Sequence, residues 1–217
     1  MRIGIPKEVK VREGRVALIP PAVGELVKSG HEVFIQSSAG IASGYPDEDY
    51  RRVGAQIVPD GVVLYGGVQM VLKVKEPIAP EYDLLRKDHL LFSYLHLAST
   101  PKLAHALREK GLTAVAFETV EANGNLPLLA PMSDIAGRLS VHIGTTLLHS
   151  HAGGRGVMLG GLPSTERGHV VILGAGVAGG NAAAVAAALG AQVTVLAPHR
   201  EELERMHALG PNVTALP

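Results

Sequence analysis

The sequence contains no cysteine, which excludes disulfides, thiolate nucleophiles, Cys-ligated zinc and iron–sulfur clusters and fits a reducing cytosol. It has no excess of charge of either sign. Twenty Lys and Arg residues balance twenty Asp and Glu, for a formal net charge of zero, so no field exists to gather a phosphate backbone and no nucleic-acid partner is expected. The N-terminal run Met1–Glu8 has no apolar stretch of signal-peptide length, so export is not expected either. Between Gly168 and His199 there is no Lys, Arg, Asp or Glu, a stretch long enough for a membrane span of about 20 residues. Six glycines, together with Asn181, Gln192 and Thr194, break it into a β-rich run, a glycine turn, an alanine-rich run and a second β-rich run. Those are parts of a buried soluble unit. His142, His149 and His151 have no carboxylate to complete a metal site, and no metal is expected.

What is present is an ordinary globular composition, 47% apolar and 18% charged over 217 residues, enough for one large domain or two small ones. Short apolar runs alternate with helical patterns, the signature of an α/β chain with mainly parallel strands. Strands are expected at Arg2–Pro6, Glu32–Gln36, Gln56–Val58, Val68–Val74, His89–Tyr94 and Thr113–Thr119. Helices are expected at Pro21–Ser29, closed by Gly30, at Asp47–Val53, closed by Gly54, and from Pro101 to about Lys110. A longer helical pattern runs from about Ser133 to Ser150. The division adopted is a substrate or catalytic lobe over residues 1–135, then a connector helix and a partial nucleotide-binding lobe over 136–217.

The strand Val170–Leu173 runs into Gly174-Ala175-Gly176-Val177-Ala178-Gly179, then helix formers from Ala182 to Leu189, then a second strand, Gln192–Leu196. This is GxGxxG in its required setting. Gly174 makes the tight turn, Gly176 lets a pyrophosphate approach the backbone, and Gly179 lets helix pack on strand. The N–H groups of Val177 and Ala178 then face the phosphates at a positive helix end. A dinucleotide site also expects an acid after the second strand to bind the ribose hydroxyls, whereas this chain has Ala197 there, with Arg200 close by. Three readings of that departure stay open: a preference for NADP, a weakened NAD site, or no cofactor. From the glycine turn to Pro217 there is room for about three strands of the six in a complete dinucleotide fold. The expectation is a nucleotide lobe without its nicotinamide half, and a sheet edge left open.

Further segments stand out beside the glycine turn: Ile5-Pro6-Lys7-Glu8, Glu13-Gly14-Arg15-Val16-Ala17-Leu18, Val71-Leu72-Lys73-Val74-Lys75-Glu76-Pro77, Phe92-Ser93-Tyr94-Leu95-His96-Leu97-Ala98, Phe117-Glu118-Thr119-Val120, Leu126–Ser133 and Gly153–Val157. Together they resemble the alanine dehydrogenase family and the related domain of proton-translocating transhydrogenases. His96 and the Lys73–Pro77 motif favour the dehydrogenase branch.

The resemblance implies two Rossmann-like lobes and reversible oxidative deamination of L-alanine to pyruvate and ammonia, with NAD as cofactor and NADP an option opened by Ala197. By the same resemblance Arg15 and Lys75 hold the substrate carboxylate, His96 transfers protons, and Tyr94, Met132 and Ser133 lie around substrate and nicotinamide. Those residue types suit the work: a planar guanidinium fork and an ammonium for a carboxylate, and an imidazole for proton transfer near neutral pH. The expected setting is a cytoplasmic homo-oligomer with a small-molecule substrate. The alternative is a catalytically silent nucleotide-binding or assembly module derived from that family.

Overall fold

The computed structural model describes residues 1–217. They fall into two compact units, Met1–Leu126 and Pro127–Pro217. The expected division at residue 135 lies within a helix that belongs wholly to the second unit.

The first unit contains β1 (Arg2–Ile5), α1 (Pro20–Lys28), β2 (Glu32–Gln36), α2 (Asp47–Arg52), β3 (Gln56–Val58), α3 (Gly61–Gly67), β4 (Met70–Leu72), α4 (Ala79–Tyr82), β5 (Leu90–Ser93), α5 (Pro101–Lys110) and β6 (Thr113–Ala116). Its six strands form one sheet, ordered β3-β2-β1-β4-β5-β6, and every neighbouring pair is parallel. A parallel sheet is covered on both faces, which is why Ile3, Ile5, Val33, Ile35, Val71 and Leu91 are all buried. One core cluster gathers Ile3, Ile5, Val23, Val33, Ile35 and Tyr50; another gathers Leu64, Tyr65, Val71, Leu91, Leu95 and Leu103. The strand order reverses between β1 and β4, and the carboxyl ends flanking that point form the crevice in which open α/β sheets bind ligands.

Two helices escape a reading by periodicity. α3 carries three glycines in seven residues and α4 is four residues long, so neither shows a face. The start of α3 was nonetheless encoded: Asp60 is its N-cap, and its carboxylate accepts the Val63 N–H at 2.9 Å. β6 is shorter than its apolar run, because Phe117–Thr119 turns into a 3₁₀ helix.

The second unit contains α6 (Ala130–Leu148), β7 (His169–Leu173), α7 (Val177–Ala188), β8 (Gln192–Leu196), α8 (Arg200–His207) and β9 (Val213–Leu216). Its strands form a parallel sheet ordered β7-β8-β9. Small side chains let the elements close up. Ala182, Ala183, Ala186 and Ala191 are buried with Val193 and Val195, and a Cβ at Gly137 of α6 would lie 2.1 Å from the Ala178 carbonyl oxygen of α7. α7 begins at Val177, within the glycine motif and ahead of the alanine run. β7 is an edge strand, with Val171 and Leu173 exposed. No helix of the structure is long and apolar enough to cross a membrane.

The turn depends on its last glycine more than on any other residue. A Cβ at Gly179 would sit 1.9 Å from the Gly174 carbonyl oxygen, and Gly174 itself has φ +95°. Gly179→Ala is therefore expected to lower stability by about 1–3 kcal/mol, the usual range for overpacking and more than alanine returns in helix propensity. Urea unfolding of the two chains measures it, and equal midpoints would contradict the packing role.

Candidate functional site

Arg15, Lys75, Tyr94 and His96 all belong to the first unit and sit on segments that follow parallel strands, at the carboxyl end of the sheet. Lys75 follows β4, and Tyr94 and His96 follow β5. The two segments are tied together beyond the regular ladder, with the Lys73 N–H donating to the Phe92 carbonyl at 3.1 Å and the Tyr94 N–H to the Val74 carbonyl at 3.2 Å. The strand register therefore sets the spacing of Lys75 and Tyr94.

Arg15 lies in the loop between β1 and α1. Its guanidinium meets Glu13 edge-on, with Nε 2.8 Å from Oε1 and Nη2 2.7 Å from Oε2, and the Arg15 backbone N–H also donates to Glu13. The bidentate pair fixes the plane of the guanidinium. It also holds the Glu13 carboxyl down to about 2: the Arg15 side-chain hydrogen bond outweighs burial, and the charges of Arg15 and Lys75 add to it. The charges of Tyr94 and Glu8 act on Arg15 in turn. Arg15, Lys75, Tyr94, Glu13 and Glu8 are thus one electrostatic group. A cavity of about 120 Å³ is lined by Lys7, Glu8, Glu13, Gly14, Arg15 and Ser38, among others.

His96 is held in a left-handed conformation, φ 47°, unusual for a residue with a Cβ. Glu118 stabilises it: its carboxylate accepts the His96 N–H at 2.7 Å and the Leu95 N–H at 3.2 Å. The 3₁₀ turn that ends β6 is what brings Glu118 there. The imidazole stacks on Tyr94, with ring centroids 5.9 Å apart and planes within 7°, and its side chain is 40% exposed, open to proton exchange with water. Tyr94 is buried, and burial raises its phenol above the ordinary range against the pull of Arg15. Burial pushes Glu76 up, but the hydrogen bond from Lys10 and the charges of Lys10 and His96 carry it below the ordinary range.

The remaining expected positions are in the second unit. Met132 and Ser133 lie in the first turns of α6. Around Gly176 a Cβ would meet nothing within 4 Å, and Gly176 caps α7 without a side-chain hydrogen bond, so the helix offers backbone N–H groups to open space. A pyrophosphate fits there. Ala197 is buried at the end of β8. Arg200 opens α8 and pairs with Glu204, Nε to Oε1 2.8 Å, with its side chain 91% exposed.

A search by residue type missed Glu8, Glu13 and Glu118, the carboxylates that hold the site's cations and backbone. Each stood inside a motif already singled out, but nothing in the sequence showed that it faced the site.

Residues 4–136 match the family model for the alanine dehydrogenase/PNT N-terminal domain, and residues 140–216 match the model for its C-terminal domain. The chain belongs to the alanine dehydrogenase/PNT family. Within the family, it is 47% identical over 206 residues to the alanine dehydrogenase of Bacillus subtilis, covering 95% of this chain and 54% of that one. A solved L-alanine dehydrogenase superposes with a TM-score of 0.92 at 52% identity, over 100% of this chain and 60% of that one. A transhydrogenase from Sinorhizobium meliloti superposes with a TM-score of 0.84 at 25% identity, over 99% and 61%. The chain spans a little over half the length of the curated relatives it matches.

The Glu13–Arg15 pair predicts an acid limb of stability. A carboxyl lowered on folding contributes stability that is fully present above its ordinary value of 4.5 and is lost as the pH falls towards about 2. Glu13→Gln is expected to flatten that limb in thermal melts taken through this range. An unchanged acid limb would show that the pair contributes nothing in solution.

Proposed function

We propose that this chain carries the substrate and dinucleotide sites of an alanine dehydrogenase, which interconverts L-alanine and pyruvate plus ammonia with NAD. The observation that carries the reading is the grouping of Arg15, Lys75, Tyr94 and His96 at the carboxyl end of one parallel sheet, in a chain of this family.

The geometry supports the roles that the family resemblance gives these residues. Glu13 holds the Nε–Nη2 edge of Arg15 and fixes the plane of its guanidinium, which meets the substrate carboxylate together with the Lys75 ammonium, a second and compact charge. Tyr94 forms a wall against which His96 is stacked. In the oxidative direction His96 takes a proton from the water that adds at the substrate carbon, and it returns a proton to the nitrogen as ammonia leaves. Glu118 keeps the imidazole aimed by holding its backbone. Met132 and Ser133, in the first turn of α6, are carried as substrate and nicotinamide positions on the family resemblance alone.

In the second unit Gly174, Gly176 and Gly179 shape the turn, and the N–H groups of Val177 and Ala178 receive the pyrophosphate. NAD supplies the hydride acceptor when bound. Ala197 places no carboxylate against the adenine ribose, and Arg200, one helical turn from Glu204, is the cation nearest in sequence for a 2′-phosphate, which opens the site to NADP. The reading includes a cytoplasmic homo-oligomer.

Three measurements test it. Purified chain is expected to bind pyruvate in calorimetry, and where it forms NADH from L-alanine and NAD, His96→Ala is expected to lower the rate by about a hundredfold or more, the scale of a general acid–base contribution. An equal rate in the variant would remove His96 from the reaction. In calorimetry with NADP and NAD, the reading expects NADP affinity to fall in Arg200→Ala while NAD affinity stays. Equal losses, or none, would remove Arg200 from the ribose site.

A further inference from the structure

Lys73 is fully buried, yet it is a lysine. Its Nζ lies 2.6 Å from Glu81 Oε1 and 3.3 Å from Glu8 Oε2. Glu81 is itself anchored, accepting the Tyr65 hydroxyl at 3.1 Å and the Ile78 N–H at 3.0 Å. Two carboxylates therefore share one ammonium in the interior, Glu81 at short range and Glu8 through a longer ion pair. Such a cluster is a poor source of stability, because desolvation offsets most of its attraction and apolar residues of similar size would cost less.

The other oxygen of Glu8 shows what the cluster accomplishes. Glu8 Oε1 accepts the Val74 N–H at 2.7 Å, with the Lys75 N–H at 3.4 Å. β1 and β4 pair through Ile3–Met70 and Gly4–Val71, and β1 ends at Ile5, before Pro6. Beyond that point the Glu8 carboxylate takes the place of the departed strand. On its other side the same segment is held by Tyr94, whose N–H donates to the Val74 carbonyl. The backbone that carries Lys75 is therefore clamped between Glu8 and the segment that carries Tyr94. Glu8 also lines the cavity that Arg15 lines.

We propose that Glu8 is a positioning residue for Lys75: anchored by Lys73, it fixes the Val74–Lys75 backbone and so places the Lys75 ammonium for the substrate carboxylate. This rests on the reading of Lys75 as a carboxylate-binding residue. Glu8 does not touch substrate in this account, and its effect reaches the ligand through the Lys75 main chain.

The test compares pyruvate affinity by calorimetry and amide hydrogen exchange in the full chain, for Glu8→Gln, Glu8→Met and Glu8→Ala. Glutamine keeps an oxygen for the Val74 N–H. Methionine and alanine do not, and the comparison uses whichever of those two melts cooperatively. The non-accepting variant is expected to bind pyruvate about tenfold more weakly and to exchange the Val74 and Lys75 amides about tenfold faster, as follows from leaving a buried donor without its acceptor. The amides of Val33 and Leu91 keep their rates, and Glu8→Gln stays close to the parent in both respects. Unchanged pyruvate affinity in the non-accepting variant overturns the positioning role alone, and so does faster exchange spread evenly over the sheet. No pyruvate binding by the unsubstituted chain overturns the substrate reading on which the role rests.

Discussion

A lysine with no exposure to water fixes how the first unit is put together. Lys73 stands just past the end of β4, at the point where the strand order reverses, and it can stay charged there only if carboxylates reach it. One comes from the segment after β1 and the other from α4. Satisfying that single ammonium draws three separate stretches of chain together at the carboxyl end of the sheet. The same convergence bears on where Lys75 and Tyr94 emerge, because Lys75 lies on the extension of the strand that carries Lys73, and the Tyr94 segment is hydrogen-bonded along that extension.

A second constraint acts in the other unit and is steric. The turn after β7 closes only because Gly179 has no side chain to collide with the Gly174 carbonyl, and α6 approaches α7 only because Gly137 has none to collide with Ala178. The result is a helix N-terminus whose N–H groups face open space at Gly176. One unit thus works by neutralising buried charge, the other by removing bulk. In the function proposed above, each is a route to an anion site: a cation pair for a carboxylate in the first, backbone donors for a pyrophosphate in the second.

Much of this was legible in the sequence, and the reasons are particular. Glu32–Gln36 and Gln192–Leu196 are apolar runs bounded by turn residues, and both are strands as expected. Gly174 and Gly179 have a spacing with one main structural use, and the turn adopts it. α3 was hidden because its three glycines dilute any helical pattern, although Asp60 marked its start. Phe117–Thr119 reads as strand because its residue types suit one, yet the chain turns there and so delivers Glu118 to the His96 backbone. The carboxylates that organise the site were invisible for a different reason. Composition shows that an acid is present, but only the folded chain shows that Glu8 faces two amides and a buried ammonium rather than water.

The central claim is that the carboxyl end of the first sheet holds the carboxylate of a small 2-oxo or 2-amino acid between Arg15 and Lys75. A crystal structure of the chain grown with pyruvate tests it most directly. The account predicts a pyruvate carboxylate within hydrogen-bond distance of the Arg15 guanidinium and the Lys75 ammonium, with the Glu13–Arg15 pair intact. Pyruvate bound elsewhere, or Arg15 and Lys75 turned away from it, would contradict the account.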